Sequence, residues 1–453
     1  MGKQPHVLVI PYPAQGHVTP LLKLATKIAE QGIKVTFVNT EQIAAKVMAT
    51  MPEESEGESL IKFVSISDGI QQEDDMKDFY KYTNILLRDM PGKLEYLIEK
   101  VNQSSDSEQI SCIVADIFAG WAVETAWNMG IPRAAVVPYG PATLALSYHF
   151  SKLTLDSDGN AMNDGMISIS EESLPWRRNE LPWSFPLDQK MQKLLFEAMC
   201  TVEQIIKISN WVLSNSFYEL DSTSCDLVPK LLPIGPLLAL NNSRHLAGSF
   251  WPEDSTCLSW LDEQPLGSVI YVALGSTGTI NQQQFDELAL GLESSGQPFL
   301  WVVRSDLMIG SDAQFPGAFK EQIAGRGKMV EWAPQEKVLA HRSVACFVSH
   351  CGWNSTLEGL SMGVPFLCWP FFVDQIQNKN YVCEAWKIGF ELTRDENGIV
   401  TRHEIETKVR KLLNDESIKG NALKLKEMAK RSLAEGGSSF ENFERFMVQM
   451  KSS

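Results

Sequence analysis

The sequence predicts an α/β protein of two doubly wound units, each a parallel sheet with helices on both faces. The chain has 453 residues, which is more than one compact hydrophobic core usually holds. Short apolar runs alternate with helical periodicity, first up to residue 240 and again from about residue 254. Polar residues follow several of the apolar runs directly, and open parallel sheets present their ligand groups at such strand ends.

The first half opens with a β-α-β unit. Residues 7–10 form an apolar strand, Thr19-Pro20 predicts a helix start with Pro in its first position, and residues 35–38 form the next strand. Further strands are predicted at residues 110–115, 134–137 and 211–213. Residues 140–205 mix Trp, Pro and Met with polar residues, which predicts irregular loops around a variable binding pocket.

The second half restarts the same plan. Strands are predicted at residues 269–274, 299–303, 345–348 and 364–368. Asn281 is placed to cap a helix that follows the first of these strands. The predicted domains are residues 1–240, a linker at 241–253, residues 254–435, and a final helix at 436–453. That helix carries an apolar stripe of Phe440, Phe443, Phe446 and Met447.

Composition excludes several classes of protein. Hydrophobic residues make up 44% and charged residues 21%, an ordinary globular balance. The formal net charge of −16 argues against nucleic acid or an anionic membrane as a partner. The eight Cys include no C-x-x-C pair, so we expect free thiols in a reducing cytoplasm. We expect no signal peptide, because residues 1–13 lack a long apolar stretch. We expect no membrane span, because no run of about 18 apolar residues occurs.

Residues 332–375 concentrate the polar groups best suited to hold a nucleotide. Trp332 offers a flat face for a base, and Gln335 can reach a base or a ribose. His350 ends a strand and can donate to a phosphate. Asn354 is predicted to cap the next helix, with Ser355 beside it, so that the free N–H groups face an anion. Two more groups follow: Glu358, one helical turn later, suits a diol, and the pair Asp374-Gln375 suits sugar hydroxyls.

This segment resembles the signature box of plant family 1 UDP-glycosyltransferases. The resemblance covers its opening Trp-Ala-Pro-Gln, its His-Cys-Gly-Trp-Asn-Ser and its closing Asp-Gln, and extends over nearly the whole chain. It implies the GT-B fold, in which two doubly wound domains face each other across a cleft. In that fold the last helix returns to the first domain.

The resemblance also implies roles for the donor-binding residues. Trp332 would stack on uracil, Ala333 would contact it through its backbone, and Gln335 and Glu358 would hold the ribose. Trp353, Asp374 and Gln375 would contact the hexose. The diphosphate would be held by the helix start and by four nearby residues, Ser276, His350, Asn354 and Ser355.

Two residues of the first half fit the proton transfer that such a reaction needs. His17 lies in the loop after the first strand, and Asp116 follows a later strand of the same predicted sheet. Histidine titrates near neutral pH and suits a general base, and a carboxylate behind it would fix its tautomer. By resemblance, His17 is the catalytic base and Asp116 its orienting acid.

The resemblance implies an inverting transfer from a UDP-sugar, most simply UDP-glucose, to a hydroxyl of a small phenolic or flavonoid-like metabolite. The sugar nucleotide is a co-substrate, no cofactor is expected, and the expected state is a monomer. A terpenoid or hormone acceptor and other UDP-sugars stay open. Many relatives carry a donor-contacting Thr where this chain has residues 138–141, so that contact is either absent or replaced by Tyr139.

Three alternatives fit the sequence less well. A metal-dependent transferase would need a D-x-D motif after an apolar strand, and the one local match, Asp156-Ser-Asp158, reads as a solvated turn. A dinucleotide-dependent oxidoreductase would need G-x-G-x-x-G after the first strand, which residues 11–17 lack. The third is a non-catalytic UDP-sugar binder or an epimerase of GT-B fold. The His17 and Asp116 pair and the segment 140–205 argue against a mere binder. We therefore expect catalysis without a metal ion.

Overall fold

The computed structural model describes residues 5–50, 61–70, 79–104, 109–150, 166–184, 189–239, 249–308, 319 and 323–452. The chain divides into two compact units. The first contains residues 1–250 and 432–453, and the second contains residues 251–431. The chain thus leaves the first unit inside the predicted linker 241–253. Asp156 and Asp158 of the D-x-D match lie outside the described residues.

The first unit contains a seven-stranded parallel sheet. Its strands are β1 His6–Ile10, β2 Lys34–Thr40, β3 Ile61–Ile66, β4 Cys112–Asp116, β5 Arg133–Val137, β8 Trp211–Ser214 and β9 Leu231–Pro233. They lie in the order β3-β2-β1-β4-β5-β8-β9. Two further short strands, β6 Met166–Ile167 and β7 Trp176–Arg177, form a separate antiparallel pair. Strands β1, β4 and β5 are buried along their whole length, which explains their continuous apolar runs.

Helices cover both faces of this sheet. They are α1 Gln15–Ala29, α2 Glu41–Ala49, α3 Phe79–Ser104, α4 Gly120–Asn128, α5 Pro141–Tyr148, α6 Gln189–Ile208 and α7 Ser222–Asp226. Alternate residues of β1 enter different cores. Val7 and Val9 pack with α1, whereas Leu8 and Ile10 pack with the core of α3 and α4.

Two sequence predictions for this unit were wrong. Helix α1 begins at Gln15, not at Thr19-Pro20, so Pro20 lies inside the helix and Ala14 is its N-cap. His17 therefore sits in the first helical turn and not in a loop. The region 140–205 is largely helical where it is described, with α5 and the 20-residue α6. Helix α6 buries residues at helical spacing, and that periodicity was hidden by the irregular composition around it.

The second unit contains a six-stranded parallel sheet. Its strands are β10 Val269–Ala273, β11 Phe299–Val302, β12 Gly327–Val330, β13 Val344–Ser349, β14 Phe366–Cys368 and β15 Gly389–Glu391. They lie in the order β12-β11-β10-β13-β14-β15. This is the strand order of a dinucleotide-binding sheet. Strands β11 and β12 lie on one side of β10, and β13, β14 and β15 lie on the other side.

The helices of the second unit follow the same alternation. They are α8 Thr256–Asp262, α9 Gln282–Ser294, α10 Gln335–Leu339, α11 Trp353–Met362, α12 Gln375–Asn380, α13 Arg402–Leu413 and α14 Glu416–Leu433, whose last two residues are assigned to the first unit. The predicted cap of α9 is confirmed, because the Asn281 side-chain oxygen accepts from the Gln284 N–H at 2.9 Å.

The final helix, α15 Ser438–Ser452, packs in the first unit. Phe443, Phe446 and Met447 join the core that contains Val7 and Val9. The Trp211 indole donates to the Gln449 side chain at 2.6 Å, and its ring lies 5.5 Å from that of Phe446. The C-terminal residues therefore complete the core under β1.

All eight cysteines, each within the described residues, are free thiols. Among the helices that the structure describes, none has both the length and the apolar character needed to cross a bilayer.

The docking of α15 predicts a large and position-specific loss of stability. Phe446→Ala should lower the free energy of unfolding of the first unit by about 3–5 kcal/mol, because it removes a fully buried ring and leaves a cavity. Val448→Ala is the matched control, since Val448 is 62% exposed on the same helix, and it should change that free energy by less than about 0.5 kcal/mol. Guanidinium denaturation measures both, and equal effects would contradict the docking.

Candidate active site

His17 and Asp116 are in direct contact in the first unit. The His17 Nδ1 and Asp116 Oδ2 atoms are 2.8 Å apart, and the carboxylate is fully buried while the imidazole is 23% exposed. Asp116 is the last residue of β4, and His17 follows β1, its neighbour in the sheet. The carboxyl ends of adjacent parallel strands lie at one edge, which is why residues 99 positions apart meet.

The contacts of Asp116 fix the tautomer of the histidine ring. Its Oδ1 accepts from the Phe118 N–H at 2.8 Å, and its Oδ2 faces His17. An ionised carboxylate only accepts hydrogen bonds, so Nδ1 of His17 carries the proton. The lone pair of the neutral ring then lies on Nε2, the nitrogen directed away from Asp116. The pair can therefore accept a proton at Nε2 and stabilise the resulting cation.

Aromatic rings surround the imidazole. The His17 ring centroid is 5.2 Å from that of Tyr12 and 5.6 Å from that of Phe118. Tyr139 packs against Phe118 at 5.6 Å and is buried. The Tyr12 hydroxyl is fixed by the Thr83 hydroxyl at 2.8 Å, and burial raises the pKa of Tyr12 well above its usual value. The imidazole of His17 thus lies among aromatic rings.

In the second unit, Trp332 is half-buried and stacked. Its indole lies 4.6 Å from that of Trp251, with 24° between the planes. The Trp332 carbonyl also accepts from the Asp254 N–H at 2.9 Å. One face of Trp332 is therefore occupied by Trp251. Ala333 follows as a buried residue.

Gln335, Ser355 and Glu358 form one hydrogen-bonded group. The Gln335 Nε2 atom donates to the Ser355 hydroxyl at 2.9 Å and to Glu358 Oε2 at 2.7 Å. Its Oε1 accepts from the Tyr271 hydroxyl at 3.1 Å, and burial raises the pKa of Tyr271 well above its usual value. Both amide hydrogens of Gln335 are therefore used within the protein. Gln335 is placed to orient Glu358 more than to reach a ligand.

The start of helix α11 differs from the prediction. Gly352 is the N-cap, Trp353 the first helical residue and Asn354 the second, so Asn354 does not cap the helix. The preceding Cys351 has a left-handed φ of 63°, and this tight turn starts the helix earlier. Asn354 and Ser355 still lie in the first turn, where backbone N–H groups lack partners in the helix. Trp353 itself is buried.

His350 lies at the end of β13, enclosed by two glycines. A Cβ atom on either Gly275 or Gly352 would come within 2.4 Å of its Nε2. Burial, and then the positive charge of Arg304, lowers the pKa of His350 to about 4. At neutral pH the ring is therefore uncharged and has one N–H to donate. Ser276, half-buried, follows Gly275 at the end of the neighbouring strand β10.

Asp374 and Gln375 begin helix α12. The Gln375 Oε1 atom accepts from the N–H groups of Phe371 and Phe372, at 2.8 and 3.2 Å. The Asn378 amide links Asp374 Oδ2, at 2.8 Å, to the Cys351 carbonyl, at 2.9 Å. This places the pair beside the turn that precedes α11. Between them and the phenylalanines, Val373 has a φ of 56°, which strains a β-branched residue.

A family model described as UDP-glucoronosyl and UDP-glucosyl transferase matches residues 5–432. UDP-glycosyltransferase 83A1 of Arabidopsis thaliana is 40% identical, covering 100% of this chain and 98% of that protein. 7-Deoxyloganetin glucosyltransferase of Catharanthus roseus is 33% identical over 100% and 97%. The crystal structure of Os79 from O. sativa in complex with UDP superposes with a TM-score of 0.82 at 28% identity, over 98% of this chain and 100% of that one.

The chain belongs to the UDP-glycosyltransferase family. It is a glycosyltransferase of the GT-B fold class, with two doubly wound units, as the sequence predicted. A UDP-sugar donor and a small-molecule acceptor are the substrates that fit this family.

The structure of this glycosyltransferase brings the predicted residues into two groups. His17 and Asp116 form one, in the first unit. The residues predicted to bind the donor form the other, in the second unit, at the carboxyl edge of β10, β12, β13 and β14 and on the helices that follow. Sequence reasoning missed Trp251, Tyr271, Arg304 and Asn378. Arg304 follows the end of β11 closely, so the rule that selected the other residues would have found it.

The lowered pKa of His350 in this glycosyltransferase predicts a pH effect on stability. The unfolded chain binds a proton at about pH 6.5, whereas the native ring does so only near pH 4. As pH falls from about 6.5 to about 4, this difference destabilises the native state. His350→Asn should therefore show a shallower loss of unfolding free energy over that range. Urea denaturation at several pH values measures the slope, and an unchanged slope would contradict the burial of a neutral ring.

Proposed function

We propose that the protein transfers glucose from UDP-glucose to a hydroxyl of a small phenolic or flavonoid-like molecule, with inversion at the anomeric carbon. The observation that carries this proposal is the contact between His17 and the buried Asp116. It directs Nε2 outward as a base, at a site bordered by aromatic rings. The relative named a glucosyltransferase supports the donor, and the rings of Tyr12 and Phe118 favour a flat acceptor.

The proposed reaction is a single displacement. As the acceptor oxygen attacks the anomeric carbon, its proton moves to His17 Nε2. The bond from that carbon to the β-phosphate oxygen breaks, and UDP leaves with the electron pair. Asp116 stabilises the imidazolium that forms. General-base catalysis of this type contributes about 10²–10⁴-fold to the rate.

The second unit would hold the donor. Trp332, backed by Trp251, would stack on uracil with Ala333 at its edge, and Glu358, oriented by Gln335, would accept from the ribose hydroxyls. Asp374, Gln375 and Trp353 would contact the hexose. Gln375 would make this contact through its amide nitrogen, because its amide oxygen already accepts from two backbone N–H groups.

The diphosphate would be neutralised without a metal ion. The N-terminal turn of α11 carries Asn354 and Ser355, and a helix start attracts anions. The neutral His350 ring and the Ser276 residue would add hydrogen-bond donors. We also propose a cytoplasmic location, which the eight free thiols support. The monomeric state stays a prediction.

The direct test is turnover of UDP-glucose with a panel of phenols. The wild-type protein should release UDP and form a β-glucoside, identified by the anomeric proton in NMR. His17→Ala should lower kcat by about 10²–10⁴-fold while UDP binding is retained, and Asp116→Asn should also lower kcat by disturbing the ring tautomer.

The matched control is His341→Ala. This histidine also contacts a carboxylate, Asp262 at 3.1 Å, yet it lies away from the proposed groups and should keep wild-type turnover. Full activity of His17→Ala would remove the proposed base. Turnover with another UDP-sugar but not with UDP-glucose would overturn the proposal that UDP-glucose is the donor.

Metal independence is tested separately. Turnover should be unchanged after exhaustive treatment with EDTA, because backbone and side-chain donors replace the cation. The control is the same treatment followed by Mg²⁺. Loss of activity that Mg²⁺ restores would refute the proposal for the diphosphate.

A further inference from the structure

Arg304 lies directly behind the loop that follows β10. Its side chain is 2% exposed, and its Nε donates to Asp306 Oδ1 at 2.8 Å. One terminal nitrogen donates to the Gly275 carbonyl, and the other donates to the Gly278 carbonyl at 3.0 Å. The guanidinium therefore holds both ends of the loop 275–278. None of the roles assigned above includes it.

These contacts orient the peptide groups of the loop. In a trans peptide the C=O and the following N–H point in opposite directions. Because the Gly275 and Gly278 carbonyls point towards Arg304, the N–H groups of Ser276 and Thr279 point away from it. Both N–H groups are therefore directed to the side of the loop opposite the guanidinium, where they can donate hydrogen bonds to an anion.

The glycines make this arrangement possible. Gly275 has a left-handed φ of 74°, and a side chain there would strike the His350 ring. A Cβ on Gly278 would lie 2.5 Å from the Leu274 carbonyl. The loop thus approaches both the imidazole and the guanidinium closely. The charge of Arg304 reaches this region, since it helps to lower the pKa of His350.

The positive charge of Arg304 is only partly compensated by its neighbours. The carboxylate that pairs with Arg304 is 60% exposed, so water weakens its field. The guanidinium is buried, and its field is screened much less. Burying a cation costs free energy of desolvation. The hydrogen bonds from Arg304 to two carbonyls offset only part of that cost. An anion on the other side of the loop would be attracted by the remaining positive potential.

We propose that Arg304 is a positioning residue for the diphosphate of the sugar nucleotide. It turns the N–H groups of Ser276 and Thr279 towards the phosphates and supplies a fixed positive charge behind them. This inference rests on the proposed binding of a UDP-sugar. It assigns to this chain a cation that acts through the loop without touching the ligand.

The test compares UDP with uridine, which lacks the phosphates. Arg304→Met should weaken UDP binding by about 10- to 100-fold, the loss expected for charge-assisted hydrogen bonds, and should weaken uridine binding by less than about threefold. Arg304→Lys keeps the charge but loses the fork of donors, so it should fall between wild type and Arg304→Met. Titration calorimetry for UDP and competition for uridine give the constants, and thermal unfolding checks the fold.

Asp306→Asn is the matched control. It removes the exposed partner of Arg304 and leaves the loop contacts, so it should change the affinity for UDP by less than about threefold. In the transfer reaction, Arg304→Lys should raise KM for the sugar nucleotide and leave KM for the acceptor unchanged. The acceptor constant would move only if the variant disturbed the protein more widely.

The binding measurements separate the inference on Arg304 from the proposed function. Equal losses for UDP and uridine would show a purely structural role for Arg304, and unchanged UDP binding would also overturn the inference. A wild-type protein that binds no UDP would instead overturn the proposed function. If Arg304→Met does not fold, NMR titration of His350 in Arg304→Gln replaces it. The His350 pKa should rise when the nearby charge is removed, and an unchanged value would contradict the proposed field.

Discussion

Reversal of strand order beside the first strand of each sheet is the constraint on which both sites depend. In the first unit β1 lies between β2 and β4, and in the second β10 lies between β11 and β13. The connection that follows each central strand and the connection that follows its neighbour, β4 or β13, pass to opposite faces of the sheet. This leaves a crevice at the carboxyl edge. His17 and Asp116 use the crevice of the first sheet. The loop 275–278 and His350 use the equivalent position in the second.

Buried hydrogen bonds then hold the polar groups in fixed directions. An unpartnered buried carboxylate or amide is costly, so Asp116 and Gln335 are stable only while their contacts persist. Asp116 accepts from both the Phe118 backbone and His17. Gln335 joins Tyr271, Ser355 and Glu358. The same bonds that satisfy these groups also orient them, so little reorganisation would be needed when a ligand arrives.

The sequence was most informative about features that follow from one pattern, an apolar run with polar residues after it. Apolar runs identified the central strands of both sheets, and polar residues after those runs identified His17, Asp116 and His350. Local signals were less reliable. The start of α1 was misplaced because Thr19-Pro20 is a strong start signal, yet the helix tolerates Pro20 in its interior. The cap of α11 was misplaced because a left-handed Cys351 is not visible in a sequence.

Other features depend on contacts between residues distant in the chain. The partners of Gln335 come from a strand and a helix that only the fold brings together, and its predicted contact with the ribose stays a prediction. Trp251 lies 81 positions before Trp332, and no periodic pattern connects the two. For Arg304 the positional signal was present, since it lies just after β11, but a buried role for the most polar of side chains is improbable from sequence alone.

Electrostatics connects these observations, because an acidic chain has to bind an anionic nucleotide. The net charge of −16 is spread over the molecule, and exposed charges farther away than about 8 Å are largely screened at physiological ionic strength. Arg304 and the α11 N-terminus are close to the proposed diphosphate position, and the guanidinium is buried. A neutral His350 adds a donor without a second full charge. Under the proposed function, the buried guanidinium and the backbone N–H groups that it orients would hold UDP-sugar and UDP alike. Such uniform binding lowers KM for the sugar nucleotide and does not raise kcat. The rate of the transfer step would then depend on the contact between His17 and Asp116 in the first unit.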